Sequence, residues 1–177
     1  MSRIVVPVQL RWSDMDAYAH VNNVEMLRLL EEARIEAFWR HPAPPADGGW
    51  PTAVLDAGPG AQTATLVASQ EIEYVRPLGY RRSPVAITLW IGHLGGASID
   101  VCYEVSDLAD ASDTSDTLDT ADTAGAPVEV YARARTTLVL VDAATGSPRR
   151  ISSAERAAWQ GYVEEPVRIR RRTARDH

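Results

Sequence analysis

The length and composition of the chain place it among ordinary globular proteins. Its 177 residues suffice for one domain with a substantial core, and 45% hydrophobic with 24% charged residues argues against a wholly disordered chain. No apolar run approaches the roughly 20 residues that a membrane helix requires, and the N-terminal stretch is too short and interrupted for a signal peptide. We therefore expect a cytoplasmic protein that does not enter a membrane, and the single cysteine, Cys102, agrees with a reducing compartment.

The charged residues exclude several classes of chemistry. All 18 basic residues are arginine, which excludes Schiff-base, P-loop-lysine and Ser–Lys mechanisms because each requires a lysine amine. The net charge of −6 arises between Asp107 and Thr123, where six aspartates occur without an arginine. Outside that stretch the charges balance. The acidic total therefore indicates nothing about a substrate, and we expect no nucleic-acid partner.

The first two predicted elements are a strand and a long helix. Alternating apolar residues predict a strand from Ile4 to Arg11, in which Pro7 favours an edge position or a bulge. The period then changes to three- and four-residue steps, which predicts a helix from about Val24 to Trp39 with a length of about 24 Å. Its charged residues are assigned to the solvent-facing side, including two surface pairs: Glu31–Arg34 and Glu36–Arg40.

The second half of the chain predicts mainly strands. After a Gly/Pro-rich connection over residues 42–60, β-branched and alternating segments predict four strands: Thr65–Val75, Val85–Ile91, Ile99–Val105 and Val128–Val141. A short helix from Ser153 to Gln160 follows, with a serine and Glu155 as a capping signal. The predicted fold class is α+β, with one long helix on a mainly antiparallel sheet of about five strands. Residues 1–165 are assigned to a single domain.

Two segments are assigned no part in that domain's core. The stretch from 107 to 125 repeats aspartate every third residue, but its spacing does not match a calcium-binding loop, so a solvated, disordered insertion is favoured. Residues 166–177 are basic and are predicted to form a solvated tail, with contact to phosphate as the alternative.

A polar cluster immediately before the long helix is the strongest candidate site. The stretch "RWSDMDAYAHVNN" holds Asp14, Asp16, His20, Asn22 and Asn23. A helix start presents free N–H groups and the positive end of a dipole, and either asparagine could cap it. A carboxylate held over that end could attack a substrate carbonyl or activate water while the N–H groups polarise the carbonyl.

Structural explanations compete with the catalytic one. Asp14 is favoured as a turn or cap acceptor, His20 as a packing residue, and the asparagines as caps first. An Asp-x-Asp metal site lacks further ligands nearby, so no metal is expected. Cys102 falls on the polar phase of its strand and is not expected to act as a nucleophile. Glu31 and Glu32 are alternative carboxylates, although charged residues on a helix are usually solvated.

The segment "RWSDMDAYAHVNNVEMLRLLEEAR" resembles the opening motif of the 4-hydroxybenzoyl-CoA thioesterase-like branch of the hotdog superfamily. That motif reads roughly Asp-x-Asp-x-x-Gly-His-Val-Asn-Asn-x-x-Tyr, followed by a Glu-x-x-Arg helix. Later segments agree in order: "EIEYVRPLGY", "IGHLGGASIDVCYEV" and "TTLVLVDAATGSPRRIS". Two positions depart from the motif, because Ala19 replaces its glycine and Met26 its tyrosine. Alanine tolerates a positive φ less well than glycine, so a remodelled turn is expected.

The resemblance implies a fold, an assembly and a site. The fold is a long helix wrapped by a curved antiparallel sheet, and the assembly is a homodimer or homotetramer joined edge to edge, with active sites at the dimer interface. The catalytic aspartate maps to Asp16 and the carbonyl-polarising amide to the backbone N–H of Asn23 or of a neighbouring residue. Asp14, His20 and Asn22 are supporting residues.

The implied function is hydrolysis of an acyl-CoA thioester, with Asp16 as nucleophile or general base. Coenzyme A enters as part of the substrate, and no separate cofactor is expected. Four arginines are candidates for its phosphates: Arg81, Arg82, Arg149 and Arg150. An acyl-carrier-protein thioesterase and a non-catalytic acyl-binding hotdog module are the alternatives. A hotdog dehydratase is disfavoured, since the sequence contains no Gly-Asp-x-Asn-Pro-x-His-like motif.

Overall fold

The computed structural model describes residues 2–41, 43, 49–108 and 128–170. These residues form β1 (Ile4–Val8), a 3₁₀ turn (Trp12–Asp14), α1 (Asn23–Phe38), β2 (Thr63–Tyr74), β3 (Val85–Leu94), β4 (Ser98–Asp107), β5 (Val130–Asp142) and α2 (Ser153–Gln160). Each predicted helix and strand is present, although the first strand ends three residues earlier than expected because the 3₁₀ turn follows it. The α+β class is confirmed.

The five strands form one antiparallel sheet in the order β1-β3-β4-β5-β2. Pro7 lies opposite Ala86 on the edge strand β1. Proline has no N–H to donate, and at the edge this removes no hydrogen bond between interior strands. Register shifts at Val67/Ser69 in β2 and Ile91/His93 in β3 mark bulges, which increase the bend and twist of a strand. β2 is the opposite edge, and most of its side chains are exposed.

The core lies between α1 and one face of the sheet. The helix contributes buried apolar residues at three- and four-residue steps: Met26, Leu29, Leu30, Ala33, Ala37 and Phe38. Alternate residues of β3 and β4 meet them from the sheet: Ile87, Leu89, Ile91, Ile99, Val101, Tyr103 and Val105. α2 closes one end, where Trp159 packs edge-on against Phe38 and donates from its indole nitrogen to the Thr52 carbonyl at 3.0 Å.

Arg34 contradicts the prediction that the charged residues of α1 face solvent. Its exposure is only 3%, and its Nη1 donates to the Tyr103 hydroxyl at 3.0 Å. Position 34 follows Leu30 by four residues and therefore belongs to the buried side of the helix, a relation that the sequence prediction overlooked. The predicted contact with Glu31 exists at 3.4 Å, although it joins an exposed carboxylate to a buried guanidinium.

The second predicted helix pair is wrong. α1 ends at Phe38, so Arg40 lies beyond the helix and contacts Asp56 at 2.9 Å. Glu36 instead lies 2.9 Å from Nε2 of His41.

The C-terminal segment covers the face of the sheet opposite α1. Val163 pairs with Ile91, the indole nitrogen of Trp90 donates to the Glu165 carbonyl at 2.9 Å, and the Val167 N–H donates to Cys102 Sγ at 3.4 Å. Cys102 is consequently buried, which corrects its assignment to a polar strand face. Within the predicted solvated tail, Val167 is half-buried and makes this contact, whereas Pro166, Arg168 and Arg170 are exposed. Residues 109–127 and 171–177 lie outside the described residues.

Candidate active site

The candidate residues lie on a tight reversal of the chain between the 3₁₀ turn and α1. Met15 pairs with Val21, and the Asp16 N–H donates to the His20 carbonyl at 2.8 Å. The Asn22 N–H then donates to the Asp14 carbonyl at 2.8 Å. These bonds hold residues 16–20 as a loop that directly precedes the helix.

Asp14 is a structural residue. It is 1% exposed, and its carboxylate accepts from the backbone N–H of Arg11 at 2.7 Å and from Arg11 Nε at 3.0 Å. The same carboxylate raises the pKa of the Arg11 guanidinium by its charge and its hydrogen bond. The cap-acceptor interpretation of the sequence therefore describes what this carboxylate does.

Asp16 has one oxygen fixed and the other free of protein partners. Its Oδ1 accepts from the N–H groups of Tyr18 at 2.8 Å and His20 at 3.1 Å. No described residue contacts its Oδ2, and the residue is only half-buried. A carboxylate anchored by two backbone donors has a defined orientation, and the remaining oxygen can meet a substrate or a water molecule.

The first turn of α1 is capped by side chains. Oδ1 of Asn22 accepts from the Val24 N–H at 2.9 Å, and Oδ1 of Asn23 approaches the same N–H at 3.0 Å. The Asn23 N–H has no acceptor among the described residues, and the residue is exposed. Tyr74 of β2 donates its hydroxyl to the Asn23 carbonyl at 3.1 Å, which ties the helix start to the sheet edge. Tyr74 was not predicted as a site residue, because it reaches the helix start only in the folded chain.

The two departures from the family motif have different structural outcomes. Ala19 adopts φ 61°, the left-handed conformation for which the motif uses glycine. The turn at Ala19 therefore carries a cost in backbone strain. Met26 is buried at 2% exposure and packs in the core.

His20 is exposed at the end of the loop, and no described residue contacts its side chain. Its backbone pairs with Gly79, which brings the segment before Arg81 next to the loop. Trp12 and Tyr80 are exposed there and stack edge-to-face, with ring centroids 5.3 Å apart. Aromatic side chains that are exposed beside the candidate loop are available to a bound molecule or to a second subunit.

The four candidate phosphate-binding arginines have different surroundings. Arg81 forms an ion pair with Asp107 and lies over the ring of Tyr131, whereas Arg82 is exposed and has no described ionic partner. The Arg81 contact lowers the pKa of Asp107 against the opposing effect of burial. Arg82 is therefore the unengaged arginine of this pair, in the segment that pairs with the loop.

Arg149 and Arg150 are far from Asp16 in the same chain. Arg149 donates to Thr63 at 2.7 Å and to Glu155 at 3.0 Å. Thr63 begins β2 and Tyr74, which contacts the helix start, ends it, so a strand of up to about 36 Å separates Arg149 from that end. Arg150 is exposed, and no described residue binds its side chain. Within one chain the structure does not bring these two arginines to the loop.

A groove runs along α1 beside β2. One cavity of about 520 Å³ begins at Val24 in the first helical turn, and a second of about 390 Å³ continues past Trp39. The two cavities share Glu31, Arg34 and Val67 in their linings, and we refer to them together as the α1 groove. Its first lining residue, Val24, directly follows Asn23 in the chain, and the groove offers space for an elongated group near the candidate site.

Other kinds of site receive no support from the described residues. They contain no group of three or more His, Cys, Asp or Glu side chains that could hold a metal ion, and no helix long and apolar enough to cross a membrane. Burial raises the pKa of the Cys102 thiol, which disfavours the thiolate that a nucleophile requires.

Comparisons with family models and with solved structures both identify thioesterase-like proteins. The model of the thioesterase-like superfamily matches residues 10–168. A predicted thioesterase from Bacillus stearothermophilus aligns with a TM-score of 0.65 at 18% identity, covering 94% of this chain and 100% of that one. A thioesterase superfamily protein from Jannaschia sp. CCS1 aligns with a TM-score of 0.65 at 17% identity, covering 92% and 94%. The dynemicin thioesterase aligns with a TM-score of 0.63 at 15% identity, covering 92% and 99%. No curated protein matches the sequence. These likenesses confirm the predicted hotdog arrangement.

Proposed function

Because the chain belongs to the thioesterase-like superfamily, we propose that it hydrolyses an acyl-CoA thioester to a free acid and coenzyme A. Membership supports thioester hydrolysis in general, and the acyl-CoA substrate is our inference. Two observations carry it: Oδ2 of Asp16 has no hydrogen-bond partner among the described residues, and neither has the Asn23 N–H, which lies seven residues later at the start of a 16-residue helix. A carboxylate beside an oxyanion donor provides what acyl transfer to water requires.

Asp16 acts on the thioester in one of two ways. As a nucleophile, its free oxygen attacks the carbonyl carbon and expels the coenzyme A thiolate, and water then hydrolyses the mixed anhydride. As a general base, the same oxygen takes a proton from the water that attacks. In both cases the Asn23 N–H faces the oxyanion, and one such donor is typically worth about 2.7–4 kcal/mol.

The surroundings suggest where the rest of the substrate binds. The α1 groove accepts the acyl group, because it opens at the first turn of the helix. Arg82 contacts a phosphate of coenzyme A, since it lies in the segment that pairs with the loop and has no described ionic partner. The exposed edge of β2 joins a second copy of the chain, which places residues of the partner near the groove.

The test is release of free thiol from a panel of aliphatic and aromatic acyl-CoAs by the purified protein. We expect Asp16→Asn to lower kcat/KM at least ~100-fold. Asp100→Asn is the matched control, because Asp100 accepts from Thr137 on the sheet away from the loop, and it should retain activity. If no thioester of the panel is hydrolysed, or if Asp16→Asn keeps full activity, the proposal fails.

A further inference from the structure

The guanidinium of Arg34 is buried without a complete set of partners. Nη1 donates to the Tyr103 hydroxyl at 3.0 Å, and Nη2 lies 3.4 Å from Oε1 of Glu31. Nε is buried and has no hydrogen-bond partner among the described residues. A buried charge is costly unless it is paired and hydrogen-bonded, and Glu31 pairs weakly because its side chain is 55% exposed.

The donors that remain have a specific shape. With Nη1 occupied by Tyr103, the N–H groups of Nε and Nη2 lie side by side on one edge of the planar guanidinium. Two parallel donors match the two oxygens of a carboxylate, which is the basis of bidentate recognition by arginine. Glu31 contacts only one of these donors, at the long end of the hydrogen-bond range.

The contacts behind Arg34 hold it in place. Burial raises the pKa of Tyr103, so its hydroxyl stays protonated and can bond to Thr136 while it accepts from Arg34. Thr136 is 1% exposed and also accepts from Gln70 Nε2 at 3.4 Å. The helix and three strands thus share one polar network, which costs free energy while any member lacks a partner. Arg34 is the member with a missing bond.

Arg34 also lines both cavities of the α1 groove. It follows Asn23 by eleven residues, which is about 16 Å along the helix. The described residues of the groove include three arginines and one carboxylate: Arg28, Arg34, Arg40 and Glu31. Arg28 and Arg40 pair with carboxylates outside the groove, whereas Arg34 pairs only with the exposed Glu31, at 3.4 Å, and its Nε–H has no acceptor among the described residues. The lining therefore favours an anion at this depth.

We propose that Arg34 selects acyl groups that carry a second carboxylate, which it binds through its Nε–Nη2 edge as Glu31 moves into solvent. The substrates are then monothioesters of dicarboxylic acids, whose thioester lies at Asn23 while the distant carboxylate reaches Arg34. This inference deepens the proposed function and rests on it for the position of the thioester. Arg34 is a specificity residue in it and takes no part in bond breaking.

The experiment compares thioesters that differ only at the far end of the acyl chain. The pairs are octanoyl-CoA with suberyl-CoA, lauroyl-CoA with dodecanedioyl-CoA, and palmitoyl-CoA with hexadecanedioyl-CoA. Binding to the Asp16→Asn protein is measured by calorimetry, and turnover is measured with the unmodified protein. We expect the dicarboxyl member to be favoured roughly ten- to hundredfold at one or more chain lengths.

Three variants test whether the preference for dicarboxyl thioesters depends on Arg34. Arg34→Met should abolish it, whereas Arg34→Lys should keep part of it, because lysine supplies the charge without the paired donors. Glu31→Gln should increase it by removing the competing carboxylate. Arg133→Gln is the control, since Arg133 pairs with Glu104 outside the groove, and it should leave the preference unchanged. Arg34→Lys and Glu31→Gln keep the test decisive if Arg34→Met does not fold.

The outcomes separate this inference from the proposed function. Turnover of the monocarboxyl thioesters with no dicarboxyl preference at any length would overturn the role of Arg34 and leave the thioesterase activity standing. If no thioester is hydrolysed but suberyl-CoA binds in an Arg34-dependent manner, the proposed hydrolysis is wrong and the role of Arg34 stands. If coenzyme A alone loses affinity in Arg34→Met to the same extent, the anion is a phosphate and the inference is wrong.

Discussion

Glu155 should make the stability of the fold strongly dependent on acid. Its carboxylate binds the guanidinium of Arg149, with Nη1–Oε2 at 3.0 Å, and accepts from the Ser152 N–H at 2.7 Å and the Ser152 hydroxyl at 2.8 Å. The hydrogen bond from Arg149 lowers the pKa of Glu155 from 4.5 to about 2, with further help from Ser152 and against the effect of burial. The folded protein therefore holds the carboxylate ionised far into acid.

The lower pKa of Glu155 in the folded chain sets both the direction and the size of the change in the free energy of unfolding with pH. A group whose pKa is lower in the folded chain stabilises the fold above the unfolded pKa, and that contribution disappears as the pH falls from about 5 towards 2. Each tenfold change in proton affinity corresponds to about 1.4 kcal/mol, which gives an upper limit of about 3.4 kcal/mol. Because water screens the partly exposed guanidinium, we expect about 2 kcal/mol.

The assay is urea unfolding of the wild type and of Glu155→Gln at several pH values. The free energy of unfolding of the variant should be lower by about 2 kcal/mol at neutral pH. More than half of that difference should vanish by about pH 3. Parallel stability curves for the two proteins over this range would refute the reasoning. Arg149→Gln is the companion variant: it should lose similar stability but keep its KM for acyl-CoA, because Arg149 lies far from the loop in the same chain.

Three further substitutions test how the candidate site is built. Ala19→Gly should raise the free energy of unfolding by about 0.5–1 kcal/mol, because glycine removes the strain at φ 61°; a lower thermal midpoint would contradict the assigned strain. Asp14→Ala should cost about 2 kcal/mol in urea unfolding, since it removes the buried acceptor of Arg11, and an unchanged midpoint would show that the turn does not need it. Tyr74→Phe should cost about 0.5 kcal/mol and speed amide exchange in the first turn of α1, because the bond to the Asn23 carbonyl is lost; unchanged exchange would rule out that anchoring role.

The sequence alone determined the helices and strands and the position of the candidate loop before α1. Hydrophobic periodicity is a local property, so the change of period before Val24 and the capping signal at Ser152 were enough to predict α1 and α2 closely. The motif around Asp16 predicted the family that the comparisons confirmed. The catalytic roles of Asp16 and the Asn23 N–H remain predictions, because no comparison or contact tests them directly.

Only the tertiary structure decided which charged groups are buried and which partners they have. Arg34 has a charged side chain in a stretch rich in charge, and its burial depends on Tyr103, which is 69 residues away. From the sequence, Arg149 is a candidate to bind a phosphate. In the folded chain its guanidinium binds Glu155 and Thr63. Cys102 is buried by a C-terminal segment that the sequence predicted to be solvated. The burial and pairing of these side chains depend on contacts between distant parts of the chain, and a local sequence pattern does not predict such contacts.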